Sequence, residues 1–284
     1  MTRRRPNPSA SADDLLTTLG QLTAQARQGA ERQHARVELA EALQREMLPA
    51  VLPALPGLRA AARYVPARDG LDIGGDWYDG FRLPDGALAF CVGDVQGHDV
   101  EAAAIMGQVR IGLRAVAATA TDPGEVLGRA NDLLLSVNSS LFATCSFLRF
   151  DPATRELESA RAGHVPAVWA QSDGQWGVAE DPGGPPLGVQ PGEVYPVTRR
   201  RLAGSGVVVL LTDGVIEGPS FAIDEGLARV AALATAAVAG VPGAAAGPGE
   251  LATQVMRVAG LTGHSDDAAV LVLWHDEARP EAAG

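Results

Sequence analysis

No lysine occurs in the 284-residue chain; all 23 basic side chains are arginine. Without lysine there is no Schiff-base chemistry and no phosphate loop of the Walker type. Basic charge is also outnumbered: 34 acidic residues leave a net charge of −11. Binding a nucleic-acid backbone needs a cationic face, so nucleic acid is not an expected partner. Cysteine occurs twice, as Cys91 and Cys145, each within a strand-like apolar run (FCV and TCSF). Two buried core thiols fit that setting better than a disulfide or a zinc site with four close ligands. No apolar run approaches the roughly 18 to 20 residues that span a bilayer, and no apolar stretch follows Arg3, Arg4 and Arg5. The expectation is a cytoplasmic protein with no membrane partner. Nucleophile signatures are missing as well: there is no Cys-x5-Arg loop and no Gly-x-Ser-x-Gly elbow.

What is present is an ordinary globular balance, 46% hydrophobic and 20% charged, long enough for one large domain and an appendage. Residues 1–10 read as a disordered lead. Ser11 with Asp14 three residues on opens a helix in the manner of a capping box. Leu15, Leu19, Leu22 and Ala26 follow at alternating spacings of four and three, and the same register reaches Ala40, Leu43 and Met47. Gly29, Gln33 and Arg36 interrupt the seam. Two readings stay open: a helix lying on its own domain, or a weakly paired helix that dimerises and transmits a signal. Pro49, Pro53 and Pro56 end this region. The expected division is 1–48 for the lead and regulatory helix, 49–275 for the main domain, and 276–284 for a disordered tail. No sensor domain is recognisable, so input is expected through the short N-terminal segment, a partner or self-association.

From Leu58 onward short strands dominate, punctuated by turns at Leu83-Pro84-Asp85-Gly86, Asp151-Pro152-Ala153-Thr154 and Ser172-Asp173-Gly174. The runs 206–212 (GVVVLLT) and 268–274 (AAVLVLW) look like strands buried on both faces. Helices come in pairs. One pair covers 101–120 and a segment opened by Asp122-Pro123-Gly124-Glu125, with an N-cap and proline at the first helical position. The other covers about 224–239 and 248–259, joined by a Gly/Pro/Ala loop expected to be mobile. Blocks of strands and helices, rather than strict alternation, predict an α+β fold of antiparallel sheets covered by helices.

Four acidic sites share one local grammar: an aspartate beside glycine or another aspartate, at a strand end or tight turn. They are Gly74-Gly75-Asp76, Gly93-Asp94-Val95-Gln96-Gly97-His98, Thr212-Asp213-Gly214 and Ser265-Asp266-Asp267. Each alone is more often a turn than a ligand. Together they suit hard cations such as Mg²⁺ and Mn²⁺, which take oxygen ligands and keep several waters. Glycine neighbours let the main chain approach and offer a carbonyl. Two cations about 3.5–4 Å apart would share an acidified water, which then serves as the nucleophile in place of a side chain.

These residues sit in a collinear series of short motifs. Glu46-Met47-Leu48-Pro49, Ala62-Arg63-Tyr64-Val65-Pro66-Ala67, Ile73-Gly74-Gly75-Asp76-Trp77-Tyr78-Asp79 and Gly93-Asp94-Val95-Gln96-Gly97-His98 come first. Phe142-Ala143-Thr144, Ala162-Gly163-His164-Val165-Pro166-Ala167, Pro186-Leu187-Gly188-Val189, Leu211-Thr212-Asp213-Gly214-Val215-Ile216-Glu217 and Asp266-Asp267-Ala268-Ala269-Val270 follow. Over about residues 44 to 274 the series resembles the PPM (protein phosphatase 2C-like) family in its bacterial SpoIIE/RsbU-type branch. The resemblance implies an αββα sandwich of two antiparallel sheets flanked by helix pairs, with metals at one sheet edge. It implies Asp76 and Asp94 as bridging ligands, the Val95 carbonyl, and Asp213 and Asp266 to complete the set. Gly75, His98 and Asp267 would stand behind these. The implied activity is hydrolysis of phosphoserine or phosphothreonine on a partner protein, an anti-sigma-factor antagonist, with two Mn²⁺ or Mg²⁺ ions and control of a stress or developmental sigma factor as output.

Three positions depart from the family pattern: Gln96 where a small residue is usual, Asp99 where glycine is usual, and Ala269 where threonine or serine is usual. Asp99 and Ala269 feed an alternative, a partner-binding regulatory module of the same fold with weak or no turnover. Among other candidates, His164 is expected to fix a turn rather than bind metal, His98 to lie near the metals, and His264, adjacent to the site in sequence, to face solvent. Trp77 and Tyr78 read as core rather than cleft, Asp69 and Asp79 as surface or supporting acids, and Arg199-Arg200-Arg201 as a solvated turn.

Overall fold

A computed structural model describes residues 12–66, 74–97, 99–137, 140–219, 221–263 and 266–277, with side chains of the first helix described at 16–31 and from 46 onward. The lead at 1–10, the Ser11 cap and the tail beyond 277 lie outside these residues. So do Asp69, His98 and His264.

Helix α1 (Ala12–Met47) precedes β1 (Leu58–Val65), β2 (Trp77–Arg82) and β3 (Leu88–Val95). Then come α2 (Val100–Ala117), α3 (Pro123–Ser136), β4 (Ala143–Asp151), β5 (Glu156–Ala162), β6 (Val168–Gln171) and β7 (Trp176–Val178). The chain continues with β8 (Thr198–Arg201), β9 (Gly206–Leu211), a 3₁₀ turn (Asp213–Val215), α4 (Ile223–Val238), α5 (Pro248–Thr262) and β10 (Ala268–His275). One antiparallel sheet has the order β1-β10-β9-β6-β7, the other β2-β3-β4-β5-β8.

Period-two alternation on the strands builds three apolar layers. On β10, Ala268, Val270, Val272 and Trp274 face the α4/α5 pair, while Leu271 and Leu273 face the second sheet. On β3, Ala89, Cys91 and Val95 face the α2/α3 pair, while Leu88, Phe90 and Val92 point between the sheets. The fold is therefore the αββα sandwich. β9 and β10 are buried along their whole length, as their unbroken apolar runs require. Cys91 and Cys145 are buried in the second-sheet core with free thiols.

Local chemistry set the helix starts. Asp122 accepts from the Glu125 amide at 2.9 Å and Pro123 opens α3. Asp99 does the same for α2, accepting from the Ala102 amide at 2.9 Å. Its departure from the family pattern is thus the N-cap of α2. The α4–α5 loop is pinned: Ala245 is buried and the Ala246 amide donates to Glu250 at 3.0 Å.

Two expectations are corrected. Arg199-Arg200-Arg201 is not a turn but the exposed edge strand β8, paired with β5. Arg199 bonds its cross-strand neighbour Glu158 at 2.8 Å, and Arg200 lies 4.0 Å over the ring of Trp169 on β6 of the other sheet, so pairing with β5 sets this exposed strand. Asp79 is not a surface residue or a supporting acid of the site. It is fully buried on β2, clamped by Arg110 at 2.9 Å and by a bidentate Arg114 at 2.7 Å, both from α2.

Candidate metal centre

Antiparallel register gathers the acidic motifs at one end of the sandwich. Asp76 immediately precedes β2, and Trp77 pairs with Gly93, so Asp76 lies beside Asp94 near the end of β3. Leu211, the last residue of β9, accompanies Val270 near the start of β10, which brings Thr212 and Asp213 next to Asp266 and Asp267. One hydrogen bond ties the two sheets together here: the Thr212 hydroxyl donates to Asp76 Oδ2 at 2.7 Å.

The backbone around the acids is tightly drawn. A Cβ on Gly75 would stand 2.1 Å from the Val95 carbonyl oxygen and 2.9 Å from Asp94 Oδ1, so only glycine lets these oxygens close in. The Val95 amide donates to the Gly75 carbonyl at 3.1 Å, fixing the approach. A Cβ on Gly214 would fall 1.9 Å from the Asp267 carbonyl oxygen. Both glycines belong to the expected motifs, and both are required by contact with another acidic segment.

Electrostatics mark these carboxylates as crowded. Asp76 is held well above the usual carboxylate range, first by burial, then by the charges of Asp94 and Asp267, against which the Thr212 hydrogen bond acts. Asp94 is pushed up to about 8, first by burial and then by Asp213 and Asp266; a protonated Asp76 donating to it works the other way. Burial and Asp266 also raise Asp213. Desolvated like charges favour the protonated forms, and a divalent cation would reverse that preference.

Of the expected ligands, Asp76, Asp94, Asp213 and Asp266 thus share one neighbourhood, with the Val95 carbonyl beside Gly75. Asp267 is buried behind them and faces Asp76 and Asp94. Among the described residues no three His, Cys, Asp or Glu side chains already close around one point. The donor chemistry nevertheless fits a hard cation: oxygen donors only, mutually repelling, on stiff strand ends. Asp213 and Asp266 open onto a cleft of about 370 Å³ that Glu217 also lines.

Trp77 is fully buried core, and Tyr78 is half-buried with its hydroxyl toward the Pro49 carbonyl at 3.4 Å. His164 is buried, its Nδ1 2.7 Å from the Thr144 hydroxyl, and it does not reach the acids as a ligand. Three residues near the acids escaped the sequence reading. Thr212 was quoted only as the neighbour of Asp213; Glu217 belonged to the same motif without a role; Thr144 carried no assignment. Thr212 also accepts from the Ala269 amide at 2.9 Å.

Residues 84–276 match the family described as stage II sporulation protein E (SpoIIE). Protein IcfG of Synechocystis sp. (strain ATCC 27184 / PCC 6803 / Kazusa) is 28% identical over 213 residues, covering 65% of this chain and 33% of that protein. The phosphoserine phosphatase RsbU of Bacillus subtilis (strain 168) is 26% identical over 183 residues, covering 64% of this chain and 53% of RsbU. The chain thus spans between a third and about half of these relatives. The crystal structure of the RsbU and RsbW domains of Rv1364c from Mycobacterium tuberculosis superposes with a TM-score of 0.72 at 30% identity, over 82% of this chain and 64% of that one.

Proposed function

Because the chain belongs to the SpoIIE family, in the RsbU-like branch of PPM-type phosphatases, we propose that it is a metal-dependent phosphoprotein phosphatase acting on phosphoserine or phosphothreonine. The observation that carries this reading is the convergence of Asp76, Asp94, Asp213 and Asp266 from both sheets, where burial and neighbouring like charges raise the proton affinity of Asp76, Asp94 and Asp213. Those four carboxylates and the Val95 carbonyl would hold two Mn²⁺ or Mg²⁺ ions. Bound there, the ions supply Lewis acidity, making a water more acidic and neutralising charge on the phosphoryl group.

The chain's own residues do the positioning. Thr212 orients Asp76, Gly75 admits the Val95 carbonyl against Asp94, and the open cleft beside Asp213 leaves room for a phosphorylated side chain on a protein surface. RsbU, a phosphoserine phosphatase, supports the substrate chemistry. The resemblance of the motif series implies an anti-sigma-factor antagonist as the substrate. Of the two residues that suggested a catalytically weak regulatory module, Asp99 is accounted for as the N-cap of α2.

Helix α1 fits a regulatory role through pairing with a second copy. It spans 36 residues, and Leu16, Leu19 and Leu22 are more than half exposed. Among the described residues nothing of the domain covers those leucines, and apolar residues at this spacing suit pairing with another helix. Its C-terminal end does touch the domain: Met47 packs on the second-sheet core, with its Cε 2.8 Å from where a Gly107 Cβ would stand on α2. Movement of α1 would therefore press on the helix that follows the Asp94 loop.

The test is hydrolysis of a small phosphate ester with Mn²⁺. D94A and D213A are expected to lose activity by at least about 100-fold, as removal of one electrostatic stabiliser does elsewhere. Retained activity in both would refute the reading.

A further inference from the structure

His164 lies on neither sheet's ligand strands, yet it touches both. Its ring nitrogen Nδ1 is 2.7 Å from the Thr144 hydroxyl. Thr144 is the direct cross-strand partner of Asp94, and directly opposed residues project to the same face of a sheet. The Leu211 backbone lies close to the ring as well, while the buried Nε2 closes no hydrogen bond. Leu211 ends β9, two residues before Asp213. One imidazole therefore spans from the Asp94 strand of one sheet to the Asp213 strand of the other.

The backbone of His164 is fastened independently. Its carbonyl accepts from Arg161 at 2.7 Å, and Arg161 also bonds the Asp181 carboxylate at 2.6 Å and its carbonyl at 2.9 Å. The preceding Gly163 amide donates to the Gly184 carbonyl at 2.7 Å. The ring is thus a strut with a fixed base. Nδ1 and the Thr144 hydroxyl share one hydrogen bond whose donor is set by the ring tautomer.

We propose that His164 is a positioning residue for the metal centre, setting the separation between the Asp94 and Asp213 halves of the ligand set through Thr144 and the end of β9. This rests on the reading of those acids as metal ligands. Groups behind metal ligands commonly change affinity by about 10- to 100-fold when removed, and a strut one residue further out belongs at the low end.

The experiment is a calorimetric Mn²⁺ titration of the wild type, H164A, T144V and T144S, well below their melting temperatures, paired with the Mn²⁺ dependence of phosphate-ester hydrolysis. H164A and T144V are expected to bind Mn²⁺ about tenfold more weakly, with the activity lost at low Mn²⁺ recovered at high Mn²⁺. T144S, which keeps the hydroxyl, is expected to restore wild-type affinity. Lower melting temperatures with Mn²⁺ affinity within about twofold of wild type would overturn the proposal, since a merely structural histidine behaves that way. If H164A does not fold, T144V against T144S decides. A wild type that takes up no Mn²⁺ would instead sink the metal reading itself, and this inference with it.

Discussion

The Thr212 hydroxyl donates to Asp76 Oδ2 at 2.7 Å while accepting from the Ala269 amide at 2.9 Å. One buried side chain thereby joins a ligand from the second sheet to β10 of the first. T212V replaces the hydroxyl by a methyl of similar size and leaves a buried amide and a buried carboxyl without this partner. The expected cost is about 1–3 kcal/mol of stability, together with weaker Mn²⁺ activation; T212S is expected to retain both. Thermal melts and a Mn²⁺ activation curve check it.

Stability of the metal-free protein is expected to depend on pH in two opposed ways. His164 is lowered to about 4 by burial, so the folded state binds fewer protons than the unfolded state between there and its ordinary 6.5. Stability from this group is complete above 6.5 and is lost as pH falls through that window. Asp94 is raised from 3.8 to about 8, so the folded state binds more protons, and stability is lost as pH rises toward 8. Between pH 6.5 and 8 the histidine contribution is flat, and the melting temperature should fall with rising pH. Saturating Mn²⁺ should abolish that fall, and D94N should shrink it.

Cation uptake is expected to release protons, because Asp76 and Asp94 hold theirs when no cation is present. Calorimetry at pH 7 in two buffers of different ionisation enthalpy measures the release directly. Identical apparent enthalpies in both buffers would contradict the raised carboxylates.

Asp79 fastens α2 to β2 through Arg110 and Arg114. D79A leaves Arg110, which is mostly buried, without its carboxylate. Full burial of such a pair gives losses of about 3–5 kcal/mol, and the partial exposure of Arg114 places the expectation nearer 2–3 kcal/mol. Denaturant unfolding checks the magnitude. Because α2 follows the Asp94 loop, Mn²⁺ activation is expected to weaken as well.

The fold was legible because its signals are local. Unbroken apolar runs marked β9 and β10, and Asp122-Pro123 placed the start of α3. The acidic ligand candidates were legible for a similar reason, since each carries a glycine or aspartate neighbour in sequence. What sequence did not reveal depends on contacts between distant segments. Thr212 looks like any residue before a turn until Asp76 is placed against it. Asp79 sits beside Trp77 and Tyr78 with nothing to show its burial, although Arg110 and Arg114, four apart on an Ala-rich helix, could have suggested a shared acidic partner. The arginine run at 199–201 read as a solvated turn because its charges were counted and its cross-strand partners Glu156 and Glu158 were not.

Diffraction from crystals soaked in manganese, with anomalous data collected at the metal's absorption edge, tests the central claim most directly. Two peaks are predicted, contacted by Asp76, Asp94, Asp213 and Asp266, with the Val95 carbonyl turned toward one of them. An anomalous map featureless at this end of the sandwich, with those four side chains directed away from one another, would contradict the account.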